Sequence, residues 1–210
     1  TLFNIIAGSY RADEGTVLIQ GRAAPRGDAK SRIGLGLGRT FQIPKPFPQM
    51  TVLENVLTGA QNQSGERIWP NFLQFGRVAA EERAAVEKAQ ALLEFVKLAH
   101  LAPEPARVLS GGQRKLLELA RVLMADPQIL LLDEPAAGVN PALLEFIISR
   151  VLELNKQGKS ILLIEHNMDM VTRLCHRVVV MAGGRFLTEG APQDVARNPA
   201  VIEAYLGAAA

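Results

Sequence analysis

Two short runs carry the residue types that chemistry on a phosphate requires. In LSGGQRKLLELARVLMADP, Ser110 and Gln113 have the spacing of a reciprocal helix cap, and Leu116, Leu119, Ala120 and Leu123 recur on one helical face. A well-capped helix accounts for all of these. Gly111 and Gly112 add something a cap does not need: without side chains they let an anion reach bare N–H groups at the positive helix end. In ILLLDEP an apolar run ends on Asp133 and Glu134. A carboxylate at the C-terminal end of a buried parallel strand lies where open α/β sheets bind ligands. Asp133 offers the hard oxygens that Mg²⁺ prefers, and Glu134 can orient or deprotonate a water. Two surface acids at a strand end are the plain alternative. The short interval between the two runs argues for one joint site.

Two further polar residues extend the constellation. His166, in LLIEHNMD, follows a second apolar run and is expected at the same sheet edge as Asp133, in contact with a phosphate. A helix-leading or hydrogen-bonded core histidine is the alternative. Gln42, in RTFQIPKPF, lies in a Gly- and Pro-rich loop and can ligate Mg²⁺ or its water through the side-chain oxygen.

The elements that must position these residues alternate along the chain. A first helix has Leu2, Phe3, Ile5 and Ile6 as its buried side and ends at Gly8; TVLIQG is then a short strand turning at Gly21. AAPRGDAKSR is loop or the start of a short helix. IGLGLGRTFQIPKPFPQM, three glycines followed by three prolines, reads as mostly irregular. A helix starts near Thr51, which has capping-box spacing to Glu54. Residues 61–78 show no clear period, and 79–98 form an amphipathic helix with Val86, Ala89, Leu92, Leu93 and Val96 on one side.

In the second half, 129–133 and 160–165 are short apolar runs suited to parallel strands covered on both faces. Between them Asn140 caps, Pro141 takes the first helical position and Gly158 closes a helix. RVVVMAGGRFLTEG reads as two strands about Gly183–Gly184, and two short helices follow. The pattern is a layered α/β protein with a parallel sheet and a helical insert between about 51 and 125.

Composition narrows the function classes. The 210 residues suffice for one domain with a real core, and 48% hydrophobic with 21% charged residues is a globular mix. A net charge of +2, with Lys and Arg dispersed, offers no basic tract for nucleic acid or an anionic membrane. The single Cys175 leaves no internal disulfide and suits a reducing compartment. No apolar run approaches the roughly 18 residues that span a bilayer, and no leader is evident, so a soluble, cytoplasmic chain is expected.

Taken in order, the loop Gln, LSGGQ, the acidic pair after an apolar strand and the His resemble the nucleotide-binding subunit of an ATP-binding cassette (ABC) transporter. More narrowly, GRTFQIPKPFPQMTVLENV, LDEPAAGVNP, LLIEHNMDMV and NPAVIEAYLG are similar to the ATPases of branched-chain amino acid importers, with urea and other amide importers close in pattern. The resemblance covers essentially the whole chain. It implies a P-loop NTPase (RecA-like) α/β core over 1–50 and 126–210, with a mostly parallel sheet, an antiparallel β segment, and a helical subdomain over 51–125 that carries LSGGQ.

The resemblance also implies roles. Gln42 senses the γ-phosphate, contacts the metal and faces the membrane subunit. Ser110, Gly111, Gly112 and Gln113 bind the γ-phosphate held by the opposite subunit. Asp133 holds Mg²⁺ through water, Glu134 activates the attacking water, and His166 steadies the γ-phosphate. Gly138 and Asn140 fall in the dimer-contact loop, with Asn140 where many cassette ATPases carry Asp. Trp69, Phe72 and Phe75, in IWPNFLQFGR, read as a satellite core under a loop or as the border of a groove for a membrane-subunit helix.

In that family the helix containing TLFN directly follows the phosphate loop G-x-x-G-x-G-K-[ST], and Thr1 matches the nucleotide-contacting residue just after it. The 210 residues are therefore expected to lack that loop, its Lys, the strand feeding it, and the aromatic that stacks on adenine. Losing three charge-assisted hydrogen bonds of roughly 1.5–3 kcal/mol each weakens binding by more than about a thousandfold, so this stretch alone is expected not to hydrolyse ATP.

The implied whole is the ATP-hydrolysing subunit of an importer, using ATP and Mg²⁺. It works as a homo- or heterodimer with transmembrane permease subunits and, indirectly, a solute-binding protein, on the inner face of the plasma membrane and without nucleic acid. A cassette ATPase of DNA repair or translation is one alternative, although those usually carry long coiled-coil insertions or two cassettes in one chain and these 210 residues show neither. A non-enzymatic fragment is the other alternative.

Overall fold

Phe3 anchors the first helix, α1 (Leu2–Ile6): it is buried, whereas Leu2 is exposed and Ile5 and Ile6 are half-buried. The expected apolar side is narrower than its four residues suggest, because a helix of little more than one turn turns few positions squarely to the core. The computed structural model describes residues 1–41, 44–61, 63 and 75–207, divided between two units, Thr1–Ile164 and Glu165–Ala210.

In the first unit, β1 (Leu18–Ile19) and β2 (Arg22–Ala23) pair antiparallel about Gln20 and Gly21, both at positive φ, as a two-residue hairpin turn demands. Helix α2 (Ala29–Gly34) starts where the Asp28 carboxylate accepts the Ser31 N–H at 3.1 Å. The next strand, β3 (Leu37–Arg39), corrects the expectation of a mostly irregular stretch. Gly38 is the reason: a Cβ there would lie 2.6 Å from Val122 Cγ1 and 2.9 Å from Pro127 Cγ. That glycine permits close packing within a strand and does not mark a loop.

Helix α3 (Val52–Leu57) opens with the expected capping box, in which Thr51 Oγ1 accepts the Glu54 N–H at 3.1 Å and Glu54 Oε2 accepts the Thr51 N–H at 2.7 Å. Helix α4 (Phe75–Phe95) starts earlier and stops sooner than the expected 79–98, with Ala89 and Leu93 buried and Val86 and Leu92 half-buried. Val96 is buried just past its end. Trp69 and Phe72, and the side chain of Phe75, lie outside the described residues. Helix α5 (Gly111–Met124) packs against α3, α4 and β3, burying Leu116, Leu119, Ala120 and Leu123 as expected.

Strand β4 (Ile129–Asp133) is the middle of a parallel sheet ordered β3-β4-β5, and helix α6 (Pro141–Lys156) leads to β5 (Ser160–Ile164). The register sets Arg39 beside Leu131 and Asp133 beside Ile164. Leu130, Leu131 and Leu132 are buried, so β4 is covered on both faces as expected. Strand β5 is not: Leu162 and Ile164 are 42% and 39% exposed, because only one face of this border strand is covered among the described residues.

The second unit begins with α7 (Met168–Leu174), where Asn167 Oδ1 accepts the Met170 N–H at 3.0 Å. Strands β6 (Val178–Ala182) and β7 (Arg185–Gly190) form the expected antiparallel hairpin about Gly183–Gly184, with an irregularity at Val180/Met181. Helices α8 (Pro192–Ala196) and α9 (Pro199–Gly207) pack against it. Among the described residues no helix is long and apolar enough to cross a membrane.

Candidate active site

Ser110 sits at the N-cap of α5 in extended geometry, with a full capping box. Its Oγ accepts the Gln113 N–H at 3.3 Å, and Gln113 Oε1 accepts the Ser110 N–H at 2.9 Å. A hydroxyl that accepts one bond still has its proton to donate, and the Gly111 and Gly112 N–H groups stand in the first turn, where a helix offers them no internal partner. The turn therefore presents donors to an anion. The two glycines differ. A Cβ at Gly111 would meet open space, whereas at Gly112 it would run into the Leu143 side chain of α6. Close packing, as well as access for a ligand, explains the second.

The other half of the site closes β4. Asp133 Oδ2 pairs with Arg39 Nη2 at 3.1 Å, and Arg39 Nη1 donates to Asn4 Oδ1 at 2.6 Å. Arg39 thus ties the first turn of α1, which starts after Thr1, to the end of β4. Its guanidinium also lies 5.9 Å from the Phe3 ring centre and 5.3 Å from that of Phe41. Glu134 follows in the left-handed region, φ +47°, a conformation rare outside glycine that costs of order 1–3 kcal/mol and is held only where neighbours over-determine it. Those neighbours are visible. The Glu134 N–H donates to the Ile164 carbonyl at 2.9 Å, and Lys115 Nζ, from α5, donates to the carbonyls of Glu134 at 3.0 Å and Pro135 at 3.3 Å.

Gly138 has a positive φ, and Asn140 caps α6 by accepting the Leu143 N–H at 2.8 Å. Thr1 is exposed, and its side chain makes no capping bond. Gln42 lies outside the described residues; its predecessor Phe41 is exposed. His166 belongs to the second unit, exposed at the entry to α7, with its N–H donating to the buried Glu165 carboxylate at 2.9 Å. The structure thus joins Asp133 and Glu134 to α1 and to α5.

Comparison with known families decides the affiliation. The model of the family described as ABC transporter matches residues 1–137. The chain belongs to the ABC transporter family. A second family model, described as branched-chain amino acid ATP-binding cassette transporter, matches residues 187–210. In Archaeoglobus fulgidus, the probable branched-chain amino acid transport ATP-binding protein LivG is 46% identical over 208 residues, 99% of this chain and 80% of that protein. The high-affinity counterpart of Escherichia coli strain K12 is 35% identical over 210 residues, 100% of this chain and 82% of that one.

The fold agrees. An ATP-binding cassette of an ABC transporter solved in its ADP conformation superposes with a TM-score of 0.82 at 40% identity, covering 98% of this chain and 82% of that one. A nucleotide-free cassette gives a TM-score of 0.81 at 39% identity, with 97% and 81% covered. This ABC chain therefore has the P-loop NTPase architecture expected from its motifs, and its family binds nucleotide.

A magnesium ion fits the donors present. Among the described residues no three His, Cys, Asp or Glu gather into a cage, but Mg²⁺ uses one or two carboxylates, its own waters and substrate phosphates. Arg39 occupies one oxygen of Asp133 and leaves Oδ1 open to such a water-mediated role. Sequence reasoning missed Arg39 and Lys115. Arg39 had a signal, as the charge ending GLGLGR just before the loop Gln; Lys115 had none, because a Lys one turn into a capped helix looks like an ordinary solvated residue.

Proposed function

We propose that this chain is the ATP-hydrolysing subunit of an importer for branched-chain amino acids. The observation that carries the reading is the turn at Asp133–Glu134, an acidic pair at the end of a buried parallel strand, held by Arg39 from β3 and Lys115 from α5. The match at 187–210 to the branched-chain family supports the solute class.

Each residue then has a task. Asp133 and Gln42 hold Mg²⁺, which when bound neutralises and orients phosphate oxygens. Glu134 orients the attacking water and accepts its proton, while its backbone is kept in place by Ile164 and Lys115. The Ser110 hydroxyl and the N–H groups of Gly111 and Gly112 bind the γ-phosphate of a nucleotide held by a second ATPase subunit, with Gln113 fixing the turn. His166 steadies the same phosphate, and Gly138 and Asn140 form the contact loop between subunits. Closure of the pair on ATP is passed to transmembrane permease subunits, which places the chain at the inner face of the plasma membrane. Residues 51–125 act as the helical subdomain within the cassette.

The test is Mg²⁺-dependent ATP turnover and uptake of labelled leucine by the native transporter in membranes. Glu134→Gln is expected to lower turnover by about 10²–10⁴-fold and to stop uptake, with ATP binding retained. Wild-type turnover in that variant contradicts the assignment. Unchanged turnover with no leucine uptake in the wild type contradicts only the solute.

A further inference from the structure

Arg32 puts a permanent charge inside the first unit. It stands on α2, is 2% exposed, and carries a guanidinium that does not give up its proton. Its Nε donates to the Ile6 carbonyl, at the end of α1, at 2.9 Å. Nη1 is buried and has no partner. Among the described residues the side chain makes no ion pair and no other hydrogen bond. A main-chain carbonyl alone therefore answers the charge. Burial takes water away from such a group, and nothing of opposite sign replaces it.

The backbone explains why Arg32 is held there. Gly8 follows α1 at φ +77°, and a Cβ on it would lie 2.7 Å from the Asp28 main chain. Glycine lets the start of α2 come against the end of α1, so Arg32, one turn into α2, meets Ile6. The same region encloses a cavity of about 30 Å³, walled by Ile5 and Val17 and lined by Arg32, Arg26, Tyr10 and Thr16. A water needs about 10–15 Å³ of such space, so a group of two or three heavy atoms fits. Arg26 is exposed, and its Nη2 donates to the Gly15 carbonyl at 3.1 Å, which fastens a second guanidinium at the cavity. Among the described residues no Asp or Glu lines it. Asp28, four residues before Arg32, turns its carboxylate to the Ser31 N–H.

We propose that this cavity binds a small oxyanion, the oxygens of a phosphate or of a carboxylate, between Arg32 and Arg26. A guanidinium offers paired N–H groups to two oxygens at once, and the hydroxyls of Tyr10 and Thr16 are further donors. An apolar guest leaves Nη1 unanswered, and a cation adds to the charge already present. None of the lining residues belongs to the Asp133–Glu134 turn or to the Ser110 cap. A bound anion acts instead on the join between α1 and α2.

The experiment is thermal unfolding of the native subunit saturated with Mg²⁺ and ADP, so that the nucleotide site is filled. Inorganic phosphate and acetate are titrated separately, with chloride holding the ionic strength constant. The wild type is expected to gain roughly 3–6 °C in Tm from one of the two at about ten times its Kd, and the effective anion names the source of the oxygens. Arg32→Leu is expected to lose that gain and, without added anion, to melt no lower than the wild type, because an apolar side chain replaces an unanswered charge. Arg26→Ala, at an exposed position, is expected to raise the Kd about tenfold. If Arg32→Leu does not fold, Arg32→Lys keeps the charge without the fork and is expected to weaken binding about tenfold. A gain of wild-type size and affinity in the Arg32 and Arg26 variants places the anion elsewhere and overturns the inference. So does a wild type that neither anion stabilises beyond chloride. Both results leave the proposed function standing.

Discussion

The Ser110–Gln113 turn and the Asp133–Glu134 turn belong to the same unit but are held in opposite ways. The first is closed by its own residues, two reciprocal bonds across one helical turn. The second depends on groups brought from elsewhere: Arg39, 94 residues from Asp133, and Lys115, 19 residues from Glu134. Glu134 also sits at positive φ, and the one local main-chain bond to it, from the Ala137 N–H to its carbonyl at 3.1 Å, is joined by the long-range bonds to Ile164 and Lys115. A self-closed turn survives many changes around it. A turn assembled at long range fails when any one contributor is lost.

That contrast orders the expected effects of substitution. Arg39→Met removes the half-buried partner of Asp133 and the bond to Asn4 together; the loss is expected to be about 2–3 kcal/mol, read as a fall in Tm of roughly 5–10 °C. Lys115→Met removes the charged donor shared by the Glu134 and Pro135 carbonyls, the first of which keeps the Ala137 N–H, and is expected to cost about 1.5 kcal/mol in a denaturant titration. Ser110→Ala removes one cap acceptor and is expected to cost about 1 kcal/mol by the same titration. A Ser110 loss larger than the Arg39 loss would break the comparison.

The smallest expected effect separates two caps of the same design. The α3 box uses Glu54, whose carboxyl is held below 4.5 chiefly by the Thr51 N–H and then by its hydroxyl. A carboxylate with a depressed folded pKa contributes stability above its unfolded value and loses it as pH falls through the folded one. The α5 box uses Gln113, which does not titrate. Hydrogen-exchange protection of the Thr51 amide, which donates to the Glu54 carboxylate, should therefore fall as the pH drops below the ordinary carboxylate range, while that of the Ser110 amide, which donates to Gln113, stays level. Parallel loss at both amides contradicts the reading.

Legibility followed the same division. Both capping boxes, the Asn140–Pro141 helix start and the Gly183–Gly184 hairpin are local devices, and each stood where its residues indicated. Strand β3 was hidden because Gly38 looks like a loop residue until Val122 and Pro127 are beside it. The exposure of Leu162 and Ile164 on β5 was equally hidden, since an apolar run does not say how many of its faces are covered. In the site, Asp133 and Glu134 were legible as acids ending an apolar strand. Arg39 and Lys115 were not, because their meaning lies in partners that chain folding supplies.

The most direct test is a structure of the native subunit with Mg²⁺ and a non-hydrolysable ATP analogue. The expected result has Asp133 on the metal through water and Glu134 within about 2.6–3.2 Å of the water facing the γ-phosphate, with a second subunit's helix start closing on that phosphate. A nucleotide bound away from the Asp133–Glu134 turn contradicts the account.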